Sequence, residues 1–288
     1  MSTDIIRAAP SSSPRHQSLI VTLFGLYARE HSNVLTVASL VRMLGDLGVD
    51  PGGVRSSIHR LKKRDFLHST RLRGQAAYEL SSEVEDLLRM GDERIFHFRR
   101  ASPDDNWLLI SFSVPESERH LRHRIRSILT RLGCGFVSSG LWLAPEQILD
   151  EVVSELERAE LSTFAELFSG RYVSGSSMQS RIGEIWNIDL LEQRHREFVD
   201  LYEPVRQRSS KNTLDRLSPE QAFSDYVPMV NEWRKLAYLD PGLPIEPAGH
   251  DSARLAAAEL FTELHEKLRG PAGAHADALS GPTGTASS

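Results

Sequence analysis

The chain has 288 residues and one cysteine, Cys134, so neither an intrachain disulfide nor a thiolate metal cluster is available, and a reducing compartment suits it. Nowhere does an apolar run approach the roughly 18 residues needed to cross a bilayer. The first 17 residues, MSTDIIRAAPSSSPRHQ, hold one apolar pair, Ile5 and Ile6, and lack the apolar stretch of a secretory signal. They read as the flexible leader of a cytoplasmic protein. Catalytic signatures are scarce as well: no G-x-S-x-G elbow, Cys-His pairing or loop carboxylate pair stands out. Cys134 lies between Gly133 and Gly135 and reads as small-residue packing, with a redox switch as the minority alternative. His120 and His123 stand among arginines with no cysteine or carboxylate partner nearby, and read as solvated side chains rather than metal ligands. Neither a cofactor nor a metal is expected.

What is present is an ordinary composition, 40% apolar and 25% charged, with a net charge of -5. The signs are segregated. Residues 1–100 carry 15 Lys+Arg against 11 Asp+Glu, and the remainder 19 against 28. Between Arg55 and Arg73 there are seven Lys or Arg side chains and one acid, Asp65. A local basic footprint on an acidic chain points to a polyanion at one face.

Periodicity gives the organisation. Leu19, Leu23, Leu26 and Tyr27 recur at helical spacing behind Ser18 as N-cap. Thr36 caps a second short helix with Val37, Leu40, Val41 and Leu44, and Asp50-Pro51 opens a third that runs to about Arg64. FLHSTRL and AAYELS are strand-like and joined through Arg73-Gly74-Gln75, a hairpin; residues 82–100 form a further helix. Domain boundaries follow: a leader at 1–17 and a first domain at 18–100. Within 105–175 the order is strand, helix, strand, strand, helix, strand, the split βαβ pattern of a ferredoxin-like sandwich. Residues 176–270 are mostly helical, broken by the Pro- and Gly-rich LDPGLPIEPAGHD, and 271–288 read as a disordered small-residue tail. The fold class is α+β.

On a helical wheel Val54, Ile58 and Leu61 share one stripe of the third helix, while Ser56, His59, Arg60 and Lys63 lie opposite, flanked by Arg55 and Lys62. A helix that follows a helix and a tight turn, and presents such a row, suits the major groove, where Arg or Lys reads guanine. Arg71 and Arg73 at the hairpin tip would reach phosphates or the adjacent minor groove, with Gly74 allowing close backbone approach. A solvated basic face is the plainer alternative, and the coincidence of helices, hairpin and tip arginines weighs against it.

Taken together, SLIVTLFGLYARE, VRSSIHRLKKRDFLHSTRLRGQAAYELS, VPESERHLRHRIRSILTRLGCGFVSSGLWLAP and EWRKLAYLDPGLP resemble the PaaX family of bacterial repressors, over nearly the whole chain. The resemblance implies an N-terminal winged helix-turn-helix domain, a central ferredoxin-like βαββαβ domain and a C-terminal helical domain in a homodimer, without catalytic activity. It also implies double-stranded operator DNA as partner, and genes of aromatic (phenylacetic acid) catabolism released when an aryl-CoA thioester such as phenylacetyl-CoA binds. For that effector Trp186, Trp233, Arg234, Lys235 and Tyr238 fit in type, against the competing reading of Trp186 and Trp233 as core or dimer contacts. The long helix around 188–202 is a candidate dimer surface. The central stretch also resembles small CRISPR-associated ferredoxin-like nucleases, yet Ser113 stands where their metal-binding aspartate would be. An enzyme acting on aryl-CoA thioesters, and a basic hairpin docking an acidic protein, are the remaining alternatives.

Overall fold

The computed structural model describes residues 12–29, 33–102, 104–173, 178–210, 217–245 and 252–280. Helices and two antiparallel sheets are mixed along the chain, an α+β arrangement. Two compact units divide it: residues 1–92, 198–235 and 258–288 form the first, and residues 93–197 and 236–257 the second. The stretch 176–270, expected as a helical domain of its own, is shared between them.

The first unit starts with α1 (Ser12–Leu23), continued as a wider π turn over Phe24–Ala28. The helix begins six residues before Ser18, inside the stretch 1–17 expected as a leader; residues 1–11 lie outside the described residues. Ser18 is no cap but a buried mid-helix residue, its Oγ donating to Asn231 Oδ1 at 2.6 Å. A short strand that periodicity did not anticipate, β1 (Val34–Thr36), leads into α2 (Val37–Asp46), where the Thr36 hydroxyl accepts from the Ser39 N–H at 3.0 Å. There follow α3 (Pro51–Lys63), β2 (Leu67–Leu72), β3 (Gln75–Leu80) and α4 (Ser82–Phe96). The sheet order is β1-β3-β2, and α1, α2 and α3 touch one another around Leu23, Leu40, Leu44, Val54 and Leu61, all fully buried.

In the second unit β4 (Trp107–Phe112), α5 (Arg119–Arg131), β5 (Gly135–Ser138), β6 (Leu141–Pro145), α6 (Leu149–Arg158) and β7 (Ala165–Gly170) give a four-stranded sheet of order β5-β6-β4-β7. Strand alternation sorts its side chains. Leu108, Ile110, Phe112, Trp142 and Ala144 pack against Ile125, Ile128 and Leu129 of α5 and Val152 and Leu156 of α6. On the other face Trp107 and Leu143 cluster with Ile182 of α7 (Met178–Ile185), Trp186 and Leu191. Gly135 makes that approach feasible, since a Cβ there would meet Ile185 Cγ2 at 2.2 Å. Cys134 is buried, and burial pushes its thiol up to about 12, which leaves no reactive thiolate at neutral pH.

The remaining helices are α8 (Ile188–Ser210), α9 (Pro219–Leu239) and α10 (Ala253–Ser280). The last overturns part of an expectation, because residues 271–280 are helical and not tail. Their small side chains do find something to bury: Ala272 and Ala276 are buried, His275 Nε2 lies 2.8 Å from Asp46 Oδ2, and the Leu279 carbonyl accepts from Arg42. Residues 281–288 lie outside the described residues.

Candidate nucleic-acid interface

The start of α3 is fixed by Asp50, Pro51 and Gly53. Asp50 accepts the Gly53 N–H at 2.9 Å, and that bond holds its carboxyl below the ordinary value; Pro51 then occupies the first turn. From there the 3.6-residue period buries Val54, Ser57, Ile58 and Leu61 and leaves Arg55, Ser56, His59, Arg60, Lys62 and Lys63 exposed. All six expected contact residues of the helix therefore face solvent. Among the described residues, no hydrogen bond or ion pair involves the side chains of Arg55, His59, Arg60 or Lys63, so these groups are not spent internally. The one acid of the stretch, Asp65, pairs with His68 at 3.0 Å. Asp65 itself has φ 61°, and the Phe66 N–H returns to the Leu61 carbonyl at 2.9 Å, which reverses the chain and seats the fully buried Phe66 beneath the helix end.

The hairpin is tight. Leu72 pairs with Gln75, leaving Arg73 (φ 51°) and Gly74 (φ 80°) as a two-residue turn with both dihedrals positive, the type I′ geometry that matches strand twist. Arg71 and Arg73 are exposed; Arg71 Nη1 donates to the Gly74 carbonyl at 3.3 Å, which draws the arginine to the tip. Lys62 Nζ lies over the Tyr78 ring at 5.6 Å, a cation–π contact that links the exposed side of α3 to β3. β1, pairing with β3 through Val34↔Glu79 to Thr36↔Ala77, stiffens the hairpin from the other side.

The five residues put forward for an effector are divided between the two units. Trp233, Arg234 and Lys235 belong to the first unit, Trp186 and Tyr238 to the second. Trp233 stacks on Phe261 with centroids 4.6 Å apart, and Arg234 Nη2 donates to Ser18 Oγ at 2.7 Å inside a buried network with Asn231. Lys235 pairs with Glu232 at 2.6 Å. In the second unit Trp186 Nε1 donates to the Gly133 carbonyl at 2.9 Å, and the Arg94 guanidinium sits 4.7 Å from the Tyr238 ring centroid. Residue type suggested ligand chemistry here; each side chain has an internal role that type cannot reveal.

Two further features were not singled out from sequence. One is a buried charge cluster in the second unit. Asp240, with no exposed surface, accepts from the Gly242 and Leu243 N–H groups and from Arg100 Nη1 at 2.8 Å, with Arg254 Nη1 at 3.6 Å; the fully buried His195 lies in the same field. The other is a run of arginines on α5, whose signal was the absence of any acid over residues 119–131. Among the described residues no group of three or more His, Cys, Asp or Glu side chains could hold a metal ion, and no helix is long and apolar enough to cross a membrane. Ser113, next after β4, is exposed.

Comparison with known proteins bears on the whole chain. Residues 15–84 match the family described as PaaX-like protein, residues 100–182 the PaaX protein central Cas2-like domain, and residues 186–278 the PaaX-like protein C-terminal domain. The chain belongs to the PaaX family. Its similarity to a protein named Transcriptional repressor PaaX, from Escherichia coli (strain K12), is 25% identity over 267 residues, 91% of this chain and 82% of that one. An uncharacterised protein from Mycobacterium tuberculosis resembles it in fold, with a TM-score of 0.51 at 16% identity over 88% of this chain and 99% of that one. The sequence resemblance to PaaX, carried by four quoted stretches, is thus matched by three family regions in the same order.

Proposed function

We propose that this PaaX-family protein is a DNA-binding transcriptional regulator, a repressor that reads an operator through α3 and clamps the backbone with the β2–β3 hairpin. The observation that carries the reading is the outward row on α3, Arg55, Ser56, His59, Arg60, Lys62 and Lys63, set beside exposed Arg71 and Arg73. In this proposal the N-terminal helices and three-stranded sheet act as a winged helix-turn-helix, and the β5-β6-β4-β7 sheet with α5 and α6 as a ferredoxin-like domain. Two copies as a homodimer would present two α3 helices to major-groove segments about one helical turn apart, or a multiple of it. The relative's name supports regulation rather than catalysis.

The experiment is a titration of fluorescently labelled DNA from the region upstream of the protein's own gene, with footprinting of the protected bases. Arg60→Ala and Lys63→Ala, both at exposed positions, should weaken binding. A lost base contact removes about 1–3 kcal/mol of discrimination, and a lost phosphate contact lowers the log–log salt slope by about 0.9. Wild-type affinity in the double variant would count against α3 as the reading helix.

For the effector the proposal is an aryl-CoA thioester of the phenylacetyl-CoA kind, and for the target, genes of aromatic catabolism, both supported by the family resemblance. Trp186, Trp233, Arg234, Lys235 and Tyr238 remain its candidate contacts. Titration with phenylacetyl-CoA should release the DNA and change tryptophan fluorescence; release without a fluorescence change would exclude Trp186 and Trp233.

A further inference from the structure

α5 reads RHLRHRIRSILTR: five arginines, two histidines and no acid in 13 residues, inside a stretch of chain that is otherwise strongly acidic. Its buried stripe, Ile125, Ile128 and Leu129, is spent on the core. The cations divide by whether the fold already uses them. Arg122 donates to the Val114 carbonyl at 2.6 Å and pairs with Glu116 at 3.1 Å; Arg131 pairs with Glu155 at 2.8 Å. Among the described residues the Arg124 side chain bonds only the Ala159 carbonyl, at 3.1 Å, which matches it with no carboxylate. Arg119, His120 and His123 have no hydrogen bond or ion pair among the described residues. Arg126 is half-buried, and its Nε is buried without an acceptor.

The unmatched groups share a face. Arg119, His120, His123, Arg124, Ser127 and Thr130 are all exposed and, at 100° per residue, lie on the side opposite Ile125, Ile128 and Leu129. The row is about 16 Å long at 1.5 Å per residue. It contains donors only of the kinds that bind phosphate oxygens, and no aromatic or aliphatic anchor of the sort on which protein interfaces depend. A helix face is convex, so it suits an extended anion and not a small molecule in a cavity. The cavities lined by Arg99, Asp104, Asp105 and Gln147 and by Gly183–Asp189 include no residue of α5.

We infer that the exposed face of α5 is a second, sequence-independent contact with the phosphate backbone of duplex DNA. This rests on the reading of the protein as a DNA binder and extends it to a unit that reading leaves without a DNA role. Residues 101–288 carry 19 Lys+Arg against 28 Asp+Glu, and such a segment is repelled by a duplex within a Debye length of about 8–10 Å. A cationic face turned to the phosphates reverses the sign where it matters.

The test uses the full chain and two duplexes, operator and scrambled, across a range of salt concentrations. Arg119→Gln/Arg124→Gln should lower affinity for both duplexes by the same factor, about tenfold, and reduce the salt slope by just under two, about 0.9 for each phosphate contact. The ratio of operator to scrambled affinity should stay at the wild-type value. Ser127→Glu, in the middle of the same face and clear of the core, should weaken both in the same way, which guards against a folding defect in the arginine pair. Unchanged affinity and slope in both variants, while Arg60→Ala/Lys63→Ala loses operator binding, would overturn the α5 contact and leave the DNA reading intact. A selective loss on operator alone would also overturn it, since phosphate contacts carry no sequence. Wild-type protein that binds neither duplex would instead remove the reading beneath.

Discussion

Arg73 is the residue where the fold and the proposed function pull against each other most plainly. A non-glycine side chain at φ 51° in a type I′ turn is held at a cost of about 1 kcal/mol, and Asn is the residue the geometry prefers ahead of Gly74. We expect Arg73→Asn to raise the thermal midpoint while lowering DNA affinity and the salt slope by about 0.9, a pairing that turn repair alone would not produce. Calorimetry and DNA titration on one preparation would check both halves. Asp240 presents the opposite case, a charge serving structure alone. Burial opposes its ionisation, but Arg100 and Arg254 outweigh that and hold the carboxyl below its ordinary value. Asp240→Ala would leave the largely buried Arg100 without its carboxylate and Arg254 with Glu192 alone, and we expect a loss of about 3–5 kcal/mol in denaturant unfolding. The outward row on α3 was legible in the sequence because it depends on periodicity within 13 residues. The Asp240 cluster was not, because Arg100 lies 140 positions away and spacing says nothing about groups that meet only on folding.

At the scale of elements, what could be read depended on length and on amphipathic contrast. Helices α2 and α3 announced themselves through caps and apolar spacing, and the strand–helix order of residues 107–170 through a change of period. β1 escaped because three residues, Val34 to Thr36, are too few to alternate, and because Thr36 is both the last strand residue and the cap of α2. That double duty has a measurable consequence: Thr36→Ala should destabilise the first unit by about 1 kcal/mol, seen as a lower midpoint in urea with an unchanged slope. The end of α10 escaped for a different reason. Gly, Ala and Pro report little hydrophobicity, yet alanine lets a helix pack closely, and Ala272 and Ala276 are buried. A chain ended at Gly270 should therefore unfold at a lower temperature than one ended at Ser280; equal midpoints would restore the view of 271–280 as a dispensable tail.

For the molecule as a whole, the segregation of charge and the buried ionisable groups together set how it answers to salt and to pH. In the proposed reading, basic faces on α3, the hairpin and α5 make DNA binding the salt-sensitive property, while near neutrality the pH dependence of stability turns on a buried group of the second unit. His195 is the one whose ordinary value lies nearest neutrality. Burial lowers its pKa from 6.5; the nearby Asp240 carboxylate and the Leu191 carbonyl, which accepts from Nδ1, act the other way without cancelling burial. The unfolded chain therefore takes up a proton near pH 6.5 that the folded chain still refuses, so the unfolded state binds more protons and stability must rise with pH across that window. The His195 contribution is fully present above pH 6.5 and declines as the pH falls toward the folded value. Asp240 and Glu192, both held below their ordinary values, add their losses only at lower pH, in and beneath the carboxylate range. We accordingly expect the thermal midpoint to fall between pH 7 and pH 5. His195→Gln, which keeps a donor for the Leu191 carbonyl but cannot titrate, should flatten that segment while leaving the steeper fall below pH 4. An undiminished slope between pH 7 and pH 5 in the variant would mean that another group carries it.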